Sequence, residues 1–219
     1  MNIIFEGIDA VGKSTLINNL KLHFDKENIN ARVIKEIEES PLNEILSKML
    51  KEDPFFNSKI DFKTSIYETF LLAADFFYKQ EYFREDSKFI NIYDRDFFTV
   101  LCYQKLIIEK EYGERANEFF ESFTKCLMFD LKNIDLFVYM KVPLELSFKR
   151  IEDRDNYILN DEQKKYLKKA KERFENELIP RLKSQNINII EVDGQESLEH
   201  KIQYILKRMK NEKIKHIGR

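Results

Sequence analysis

Five short runs of apolar residues recur along the chain, and longer stretches with apolar residues at helical spacing separate them. The runs are rich in Ile, Val, Phe and Tyr, a composition typical of strands that are buried on both faces. They lie at residues 2–6, 31–36, 89–94, 136–141 and 188–192. Because runs and helical stretches alternate, the pattern predicts an α/β fold with a doubly wound, five-stranded parallel sheet flanked by helices.

Two of the intervening stretches, residues 60–82 and 161–182, are each predicted to form one long helix. No internal repeat and no linker rich in Pro, Gly or Ser interrupts the sequence, so residues 1–219 are predicted to form a single domain with a short lid at about residues 150–160. In an open parallel sheet, ligands bind outside the carboxyl ends of the strands. The polar residues that follow each predicted strand are therefore the first candidates for a functional site.

Composition and charge narrow the classes of function. Of the 219 residues, 43% are hydrophobic, which is enough for one domain with a sizeable core. The formal net charge is −2 and the charge signs are mixed, so the chain lacks the basic field of a nucleic-acid-binding protein. The first residues enter a predicted strand directly, and we expect a cytoplasmic protein with neither nucleic-acid nor membrane partners.

A glycine-rich loop joins the first predicted strand to the first helix and matches the pattern G-x-x-x-x-G-K-[ST]. Gly7 and Gly12 let the backbone curl so that its N–H groups converge on an anion, and the next helix directs its positive end at the same point. Lys13 can reach the β- and γ-phosphates of ATP, and the Ser14 hydroxyl can bind Mg²⁺. The residues predicted to bind ATP are Gly7, Ile8, Asp9, Ala10, Val11, Gly12, Lys13, Ser14 and Thr15.

Charged residues follow three of the other predicted strands. Asp94 can bind Mg²⁺ or its water and Arg95 can bind a phosphate through two donors, although an Asp-Arg pair can also simply begin a helix. Glu36 either faces the cleft or belongs to a solvated helix start. Arg150 and Arg154 share one helix face, which suits either an arginine finger supplied in cis or a surface helix with salt bridges.

Several segments together resemble the thymidylate kinase family. Residues 5–15 resemble its phosphate loop with the prefix Phe-Glu-Gly-x-Asp, which is more specific than the loop pattern alone. The other similar segments are residues 35–42, 71–75, 94–104 and 142–145, the last followed by Arg150. The resemblance covers the chain from end to end. It implies a P-loop NTPase-type kinase that uses ATP with Mg²⁺, binds small-molecule nucleotides, and forms a homodimer through helices near residues 60–82 and 96–110.

The resemblance also implies roles for single residues. Asp9 would accept a hydrogen bond from the sugar 3′-hydroxyl, Arg95 would bind the acceptor 5′-phosphate, and Tyr103 would pack against the sugar or the base. Ala10 stands where some members carry a loop arginine. Members without that arginine supply one from the lid, which fits the two arginines that follow the fourth predicted strand here.

The residues that read the base in this family are replaced. Its thymine-stacking Phe falls at Leu72, and the Arg that reads the thymine carbonyl falls at Phe76. Phe76 could restore the stacking, but it cannot donate a hydrogen bond. An apolar wall discriminates between bases far less than a hydrogen-bonding site does. The sequence therefore predicts the kinase fold without fixing the base.

Three hypotheses about function follow. The first is a nucleoside-monophosphate kinase that transfers the γ-phosphate of ATP to a deoxynucleoside 5′-monophosphate, with dTMP as the preferred acceptor. The second is a deoxynucleoside kinase in which Glu36 acts as the general base for a 5′-hydroxyl. The third is a divergent nucleotide-binding protein without catalytic activity. Under the first, the catalytic residues are Lys13, Arg95, Arg150 and Arg154, and the acceptor site comprises Asp9, Glu36, Leu72, Phe76, Arg95 and Tyr103.

Overall fold

The structure, a computed structural model, describes residues 1–38, 40–52, 62–83, 88–126 and 133–217. These residues contain a five-stranded sheet in the order β2-β3-β1-β4-β5, and each neighbouring pair of strands is parallel. The strands are β1 (Asn2–Glu6), β2 (Ala31–Ile34), β3 (Ile90–Asp94), β4 (Leu136–Lys141) and β5 (Ile189–Asp193). The prediction of a doubly wound parallel sheet is confirmed, with β1 at its centre and β3 beside it.

Helices connect the strands, and one of them differs from its prediction. They are α1 (Lys13–Lys26), α2 (Asn43–Glu52), α3 (Phe62–Phe83), α4 (Phe98–Tyr112), α5 (Arg115–Cys126), α6 (Leu144–Asp155), α7 (Asp161–Arg173), α8 (Ile179–Ser184) and α9 (Leu198–Ile217). The helix predicted at residues 161–182 is present as one unbroken helical stretch, but it contains a π-helical turn at Phe174–Leu178 between α7 and α8. Pro180 lies in the first turn of α8 and has no N–H to donate, so the α-helical register does not continue through this segment.

The second strand is two residues shorter than predicted. The apolar run indicates a strand over residues 31–36, but β2 ends at Ile34. The carbonyl groups of Lys35 and Glu36 accept hydrogen bonds from the ammonium group of Lys79 on α3. Because a side chain from α3 takes these carbonyls, the chain leaves the sheet before Glu36.

The buried apolar residues form two clusters. The large core contains the strands and the inner faces of α1, α7, α8 and α9, and it includes Ile8 and Val11 of the glycine-rich loop. The small core draws on α2 to α5 and comprises Leu46, Leu72, Ala73, Phe76, Phe97, Val100, Ile108, Ala116 and Phe120. Helix α4 lies between the two and contributes to both. Among the described helices, none is long and apolar enough to cross a membrane.

Candidate active site

The carboxyl ends of β1 and β3 and the segment after β2 open into a cleft of about 1250 Å³. A pocket for one small molecule typically measures roughly 300–1,000 Å³, so this cleft has room for two ligands side by side. Most of the predicted site residues line it. They are Asp9, Ala10, Gly12, Lys13, Ser14, Thr15, Glu36, Leu72, Asp94, Arg95, Tyr103, Arg150 and Arg154.

The glycine-rich loop, residues 7–15, is held by its fit against β4 and the large core. Gly7 has a φ of +142°, and a Cβ there would lie 2.3 Å from the carbonyl oxygen of Met140, so only glycine fits. Gly12 has a φ of +98° and directly precedes α1. The side chains of Ile8 and Val11 are buried in the large core rather than in the cleft. These four residues shape the loop that presents the remaining ones.

Lys13 and Ser14 begin α1 on the floor of the cleft. The buried Lys13 Nζ donates to the carbonyl oxygens of Gly7 and Ile8, each at 3.0 Å. Burial and the nearby Arg95 lower the pKa of Lys13, although neighbouring carboxylates act in the opposite direction. Both hydrogen-bond partners of its ammonium group are neutral carbonyl oxygens, which charged phosphate oxygens can replace. The Ser14 hydroxyl donates to Asp94 Oδ2 at 2.8 Å, so the two predicted metal-binding residues are in direct contact.

The Arg95 side chain is held through several of its guanidinium nitrogens and is only 7% exposed. Its Nη2 donates to Asp9 Oδ1 at 2.8 Å, and its Nε lies 3.1 Å from Glu36 Oε2. Tyr103 donates its hydroxyl proton to Asp9 Oδ2 at 2.8 Å. The structure therefore brings together four of the residues predicted to bind the acceptor. Arg95 also has a φ of +73°, a strained conformation for a non-glycine residue that its surroundings must hold in place.

Opposing effects set the charges of the two carboxyl groups beside Arg95. Burial disfavours the ionised form of Asp9, but Arg95, Lys13 and the Tyr103 hydroxyl outweigh it and hold the pKa of Asp9 below its usual value. Burial raises the pKa of Glu36, and the attraction of Arg95 offsets this only in part. Of the two, Asp9 is therefore the firmly ionised partner of Arg95, and Glu36 is the more readily protonated one.

A third carboxyl group, that of Glu6, supports the turn that carries Arg95. Glu6 is fully buried at the end of β1. Its Oε1 accepts from the N–H of Asp96 and its Oε2 from the Thr99 hydroxyl, both at 2.9 Å, while Arg95 Nη1 donates to the same hydroxyl at 3.3 Å. Burial raises the pKa of Glu6 to about 8 against the opposing pull of Arg95 and Lys13. Sequence reasoning gives Glu6 no role of its own, although a glutamate that ends an apolar run is a visible signal.

We expect Glu6→Gln to flatten the dependence of stability on pH. The folded protein keeps Glu6 protonated up to about pH 8, whereas the unfolded chain ionises it near the ordinary pKa of 4.5. Folding therefore takes up a proton between these values, and the free energy of unfolding falls as the pH rises through this window. From about pH 5.5 to about pH 8 the wild type should lose roughly 3 kcal/mol more than Glu6→Gln in urea denaturation. Equal slopes for the two proteins would contradict this.

Helix α6 places the two candidate lid arginines at different depths. Arg150 Nη1 donates to the carbonyl oxygen of Ala10 at 3.2 Å, and Ser147 on the same helix donates to the carbonyl oxygen of Asp9 at 2.8 Å. Arg154 lies at the rim, where its 60% exposed side chain pairs with Asp155 at 2.6 Å. Both arginines line the cleft, and Arg150 is the one that touches the glycine-rich loop.

Residues of α3, α4 and the segment after α6 also line the cleft. Leu72 lines it, but Phe76, one turn further along α3, is buried in the small core and is not among the lining residues. Polar lining residues to which sequence reasoning assigns no role include Thr99, Gln104, Tyr157, Gln163 and Lys201. Thr99 has a sequence signal, because it lies four residues before Tyr103 on α4 and so shares one helix face with it.

Known proteins resemble this chain over most of its length. A family model described as thymidylate kinase matches residues 5–205. A thymidylate kinase from Campylobacter hominis is 32% identical over 161 residues, which cover 72% of this chain and 74% of that protein. A probable thymidylate kinase from Methanobrevibacter smithii is 28% identical over 174 residues, which cover 80% and 79% of the two chains.

A solved structure extends the similarity of fold. Deoxyadenosine kinase from M. mycoides with bound dATP superimposes with a TM-score of 0.66, covering 96% of this chain and 100% of that one. The sequence identity is 18%, so this likeness concerns the fold alone.

Proposed function

Because the chain belongs to the thymidylate kinase family, we propose that it transfers the γ-phosphate of ATP to a deoxynucleoside 5′-monophosphate, with dTMP as the preferred acceptor. Family membership makes it an ATP-dependent phosphotransferase of the nucleoside-monophosphate kinase type. The choice of acceptor is the proposed part. The observation that supports it most is that Lys13 and Arg95 follow two adjacent strands, β1 and β3, and line the same cleft.

On the donor side, Lys13 would exchange its two carbonyl partners for oxygens of the β- and γ-phosphates. Ser14 Oγ and Asp94 Oδ2 are hard oxygen ligands 2.8 Å apart, which is the kind of donor that Mg²⁺ prefers. Among the described residues, no group of three or more His, Cys, Asp or Glu side chains could hold a metal. Two protein oxygens suit Mg²⁺, which usually keeps waters and phosphate oxygens as its other ligands. Mg²⁺ bound there would supply neutralisation of the phosphate charges.

On the acceptor side, Arg95 would bind the 5′-phosphate. Its guanidinium group is oriented by Asp9, Glu36 and the Thr99 hydroxyl, so little side-chain freedom is lost when a phosphate binds. Tyr103 packs beneath the same guanidinium group, with its ring centre 5.3 Å from the guanidinium carbon. The sugar and base would then extend towards Leu72 and Gln104, which also line the cleft.

The chemical step needs no strong general base under this proposal. An anionic oxygen of the acceptor phosphate attacks the γ-phosphorus, the bond from that phosphorus to the β–γ bridging oxygen breaks, and ADP leaves with the bonding electrons. The attacking oxygen is already ionised at neutral pH. The chain contributes positioning and charge, with Lys13 on the donor, Arg95 on the acceptor, and Arg150 and Arg154 on the face of α6 that lines the cleft.

A deoxynucleoside kinase is the second candidate, and the environment of Glu36 favours it. Glu36 lines the cleft beside Arg95, and its raised pKa makes it a better base for a 5′-hydroxyl than an ordinary carboxylate. Glu36 also pairs with the Nε group of Arg95, a donor that an acceptor phosphate could otherwise use. The third hypothesis, a protein without catalytic activity, is not retained because the family is one of phosphotransferases.

An acceptor panel with Glu36→Gln separates the two candidates. We expect wild type with ATP and Mg²⁺ to convert dTMP to dTDP and to leave thymidine unchanged, with products resolved by chromatography. Glu36→Gln keeps an oxygen that can accept from Arg95 Nε, so it should change turnover of the monophosphate by less than about tenfold. Loss of roughly 100-fold or more, together with nucleosides as the only acceptors, would identify Glu36 as the base and overturn our first choice.

The homodimer implied by the family resemblance stays a prediction. Tyr67 and Phe70 on α3 are exposed, and exposed aromatic side chains on one helix suit burial against a second copy.

A further inference from the structure

Helix α3 carries a buried ion pair that the proposed chemistry does not use. Lys79 is 2% exposed and Asp75, one turn earlier, is fully buried, with Nζ and Oδ2 at 2.7 Å. Lys79 Nζ also donates to the carbonyl oxygens of Lys35, at 2.6 Å, and of Glu36. The three donors of the ammonium group are thus matched by three oxygens. Asp75 Oδ1 accepts from the hydroxyl of Ser40, at the far end of the same loop.

This ion pair ties the loop after β2 to α3. The loop begins where β2 leaves the sheet, so the ladder with β3 does not support it. Lys79 holds its first two residues, and Asp75 holds Ser40. Burying two charges requires a large desolvation energy, and the pair gains little net stability over apolar residues of the same volume. A buried ion pair whose ammonium group has three oxygen partners is better explained here by the loop conformation that it fixes.

The same turn of α3 also holds the loop after β3. Gln80 Nε2 donates to Asp96 Oδ1 at 2.8 Å, and that oxygen accepts from the N–H of Phe97 at 2.6 Å. Neighbouring residues of one helix therefore fix the two loops that carry Glu36 and Arg95. The side chains of those two residues meet at 3.1 Å inside the cleft.

We propose that Lys79, together with Asp75, is a positioning residue of the acceptor site: it holds Glu36 against Arg95 and so orients the guanidinium group that receives the acceptor. The proposal rests on the proposed function only in that Arg95 contacts the acceptor. It holds for a monophosphate and for a nucleoside alike, because the orientation of Arg95 matters to both. Neither Lys79 nor Asp75 lines the cleft, so both act through Glu36.

The test removes both charges together, because Lys79→Met alone would leave Asp75 buried without its partner. In Asp75→Asn/Lys79→Met we expect the KM of the acceptor to rise about tenfold, with kcat within threefold and the KM of ATP unchanged. The glycine-rich loop is not touched, so the donor side serves as an internal reference. The matched control is Asp25→Asn/Lys21→Met, which removes an exposed pair with the same spacing on α1 and should change neither KM.

A mutant cycle shows whether the effect passes through Glu36. Glu36→Ala removes the contact with Arg95, so the double change on α3 should alter the acceptor KM less than threefold in that background. An equal rise in both backgrounds, or no rise in a folded Asp75→Asn/Lys79→Met, would overturn the proposal. If the double variant does not fold, Lys79→Arg, which keeps the charge but replaces the compact ammonium by a planar group, should still raise the acceptor KM at least threefold, and no change would count against us.

The result of this test can be distinguished from a failure of the proposed function. If wild type phosphorylates nucleosides and not monophosphates, our choice of acceptor fails, and the same comparison of KM values is then made with the nucleoside.

Discussion

Replacing Lys13 by Met is expected to abolish phosphoryl transfer and to leave the fold intact. Lys13 is the cation at the start of α1, bound to two loop carbonyls that charged phosphate oxygens can replace. Removing one such donor from a preorganised site typically lowers kcat roughly 100- to 1,000-fold. The folded protein should tolerate Met, because burial and the neighbouring Arg95 disfavour the charge of Lys13 in the native state and lower its pKa.

The measurement is steady-state turnover with ATP, Mg²⁺ and the preferred acceptor, alongside thermal unfolding of both proteins. Lys21→Met, two turns later on the exposed side of α1, is the matched control and should retain wild-type turnover. Near-normal turnover by a folded Lys13→Met would remove the glycine-rich loop from the mechanism and, with it, our assignment of the donor site.

Replacing Arg95 by Met is expected to disable the acceptor side alone. The change removes the guanidinium group that lies between Asp9 and Glu36, and it leaves two carboxylates facing the site where a phosphate would bind. We expect the KM of a monophosphate acceptor to rise roughly 100-fold, which corresponds to about 2.7 kcal/mol. The fold should survive, because Asp9 keeps its bond to Tyr103 and Glu36 is about one third exposed to water (32%).

Binding of ATP, measured by calorimetry in the absence of acceptor, provides the contrast. It should stay within about twofold of wild type, since the hydrogen bond from Arg95 to the glycine-rich loop goes to Asp9, whereas Lys13 bonds to Gly7 and Ile8. Arg181→Met, which breaks an exposed pair between α8 and Glu121 on α5, is the control for loss of an arginine. Equal losses of ATP and acceptor binding in Arg95→Met would mean that Arg95 supports the whole cleft rather than the acceptor.

The elements that the sequence predicts well are those with a local physical cause. Strands β1 and β4 match their predictions to the residue, because a strand buried on both faces is a continuous apolar run that polar residues end. The glycine-rich loop is equally local, since eight consecutive residues, 7–14, carry its pattern. The order of the strands then brings Asp9, Asp94 and Arg95 together, because β1 and β3 are neighbours and parallel strands end at one edge.

The features that the sequence does not predict depend on residues far apart in the chain. The end of β2 is set by Lys79, which lies 44 residues beyond Lys35, and no local pattern records that contact. Glu6 and Thr99 meet across 93 positions for the same reason. Phe76 illustrates a different difficulty. The alignment with a base-reading residue predicts the position of Phe76 along α3. Whether its side chain faces the cleft or the core depends instead on how α3 packs against α4.

The division of the interior into two clusters bears on how the protein can diverge. The glycine-rich loop packs into the large core, whereas the buried apolar residues of α3 pack into the small one. A replacement such as the one at Phe76 is absorbed by its own cluster, because changes at distant sites without shared partners act almost independently. The packing around the glycine-rich loop can thus stay constant while residues of the small core change. Leu72 and Phe76, where the resemblance implies departures from the family pattern, both belong to the small core.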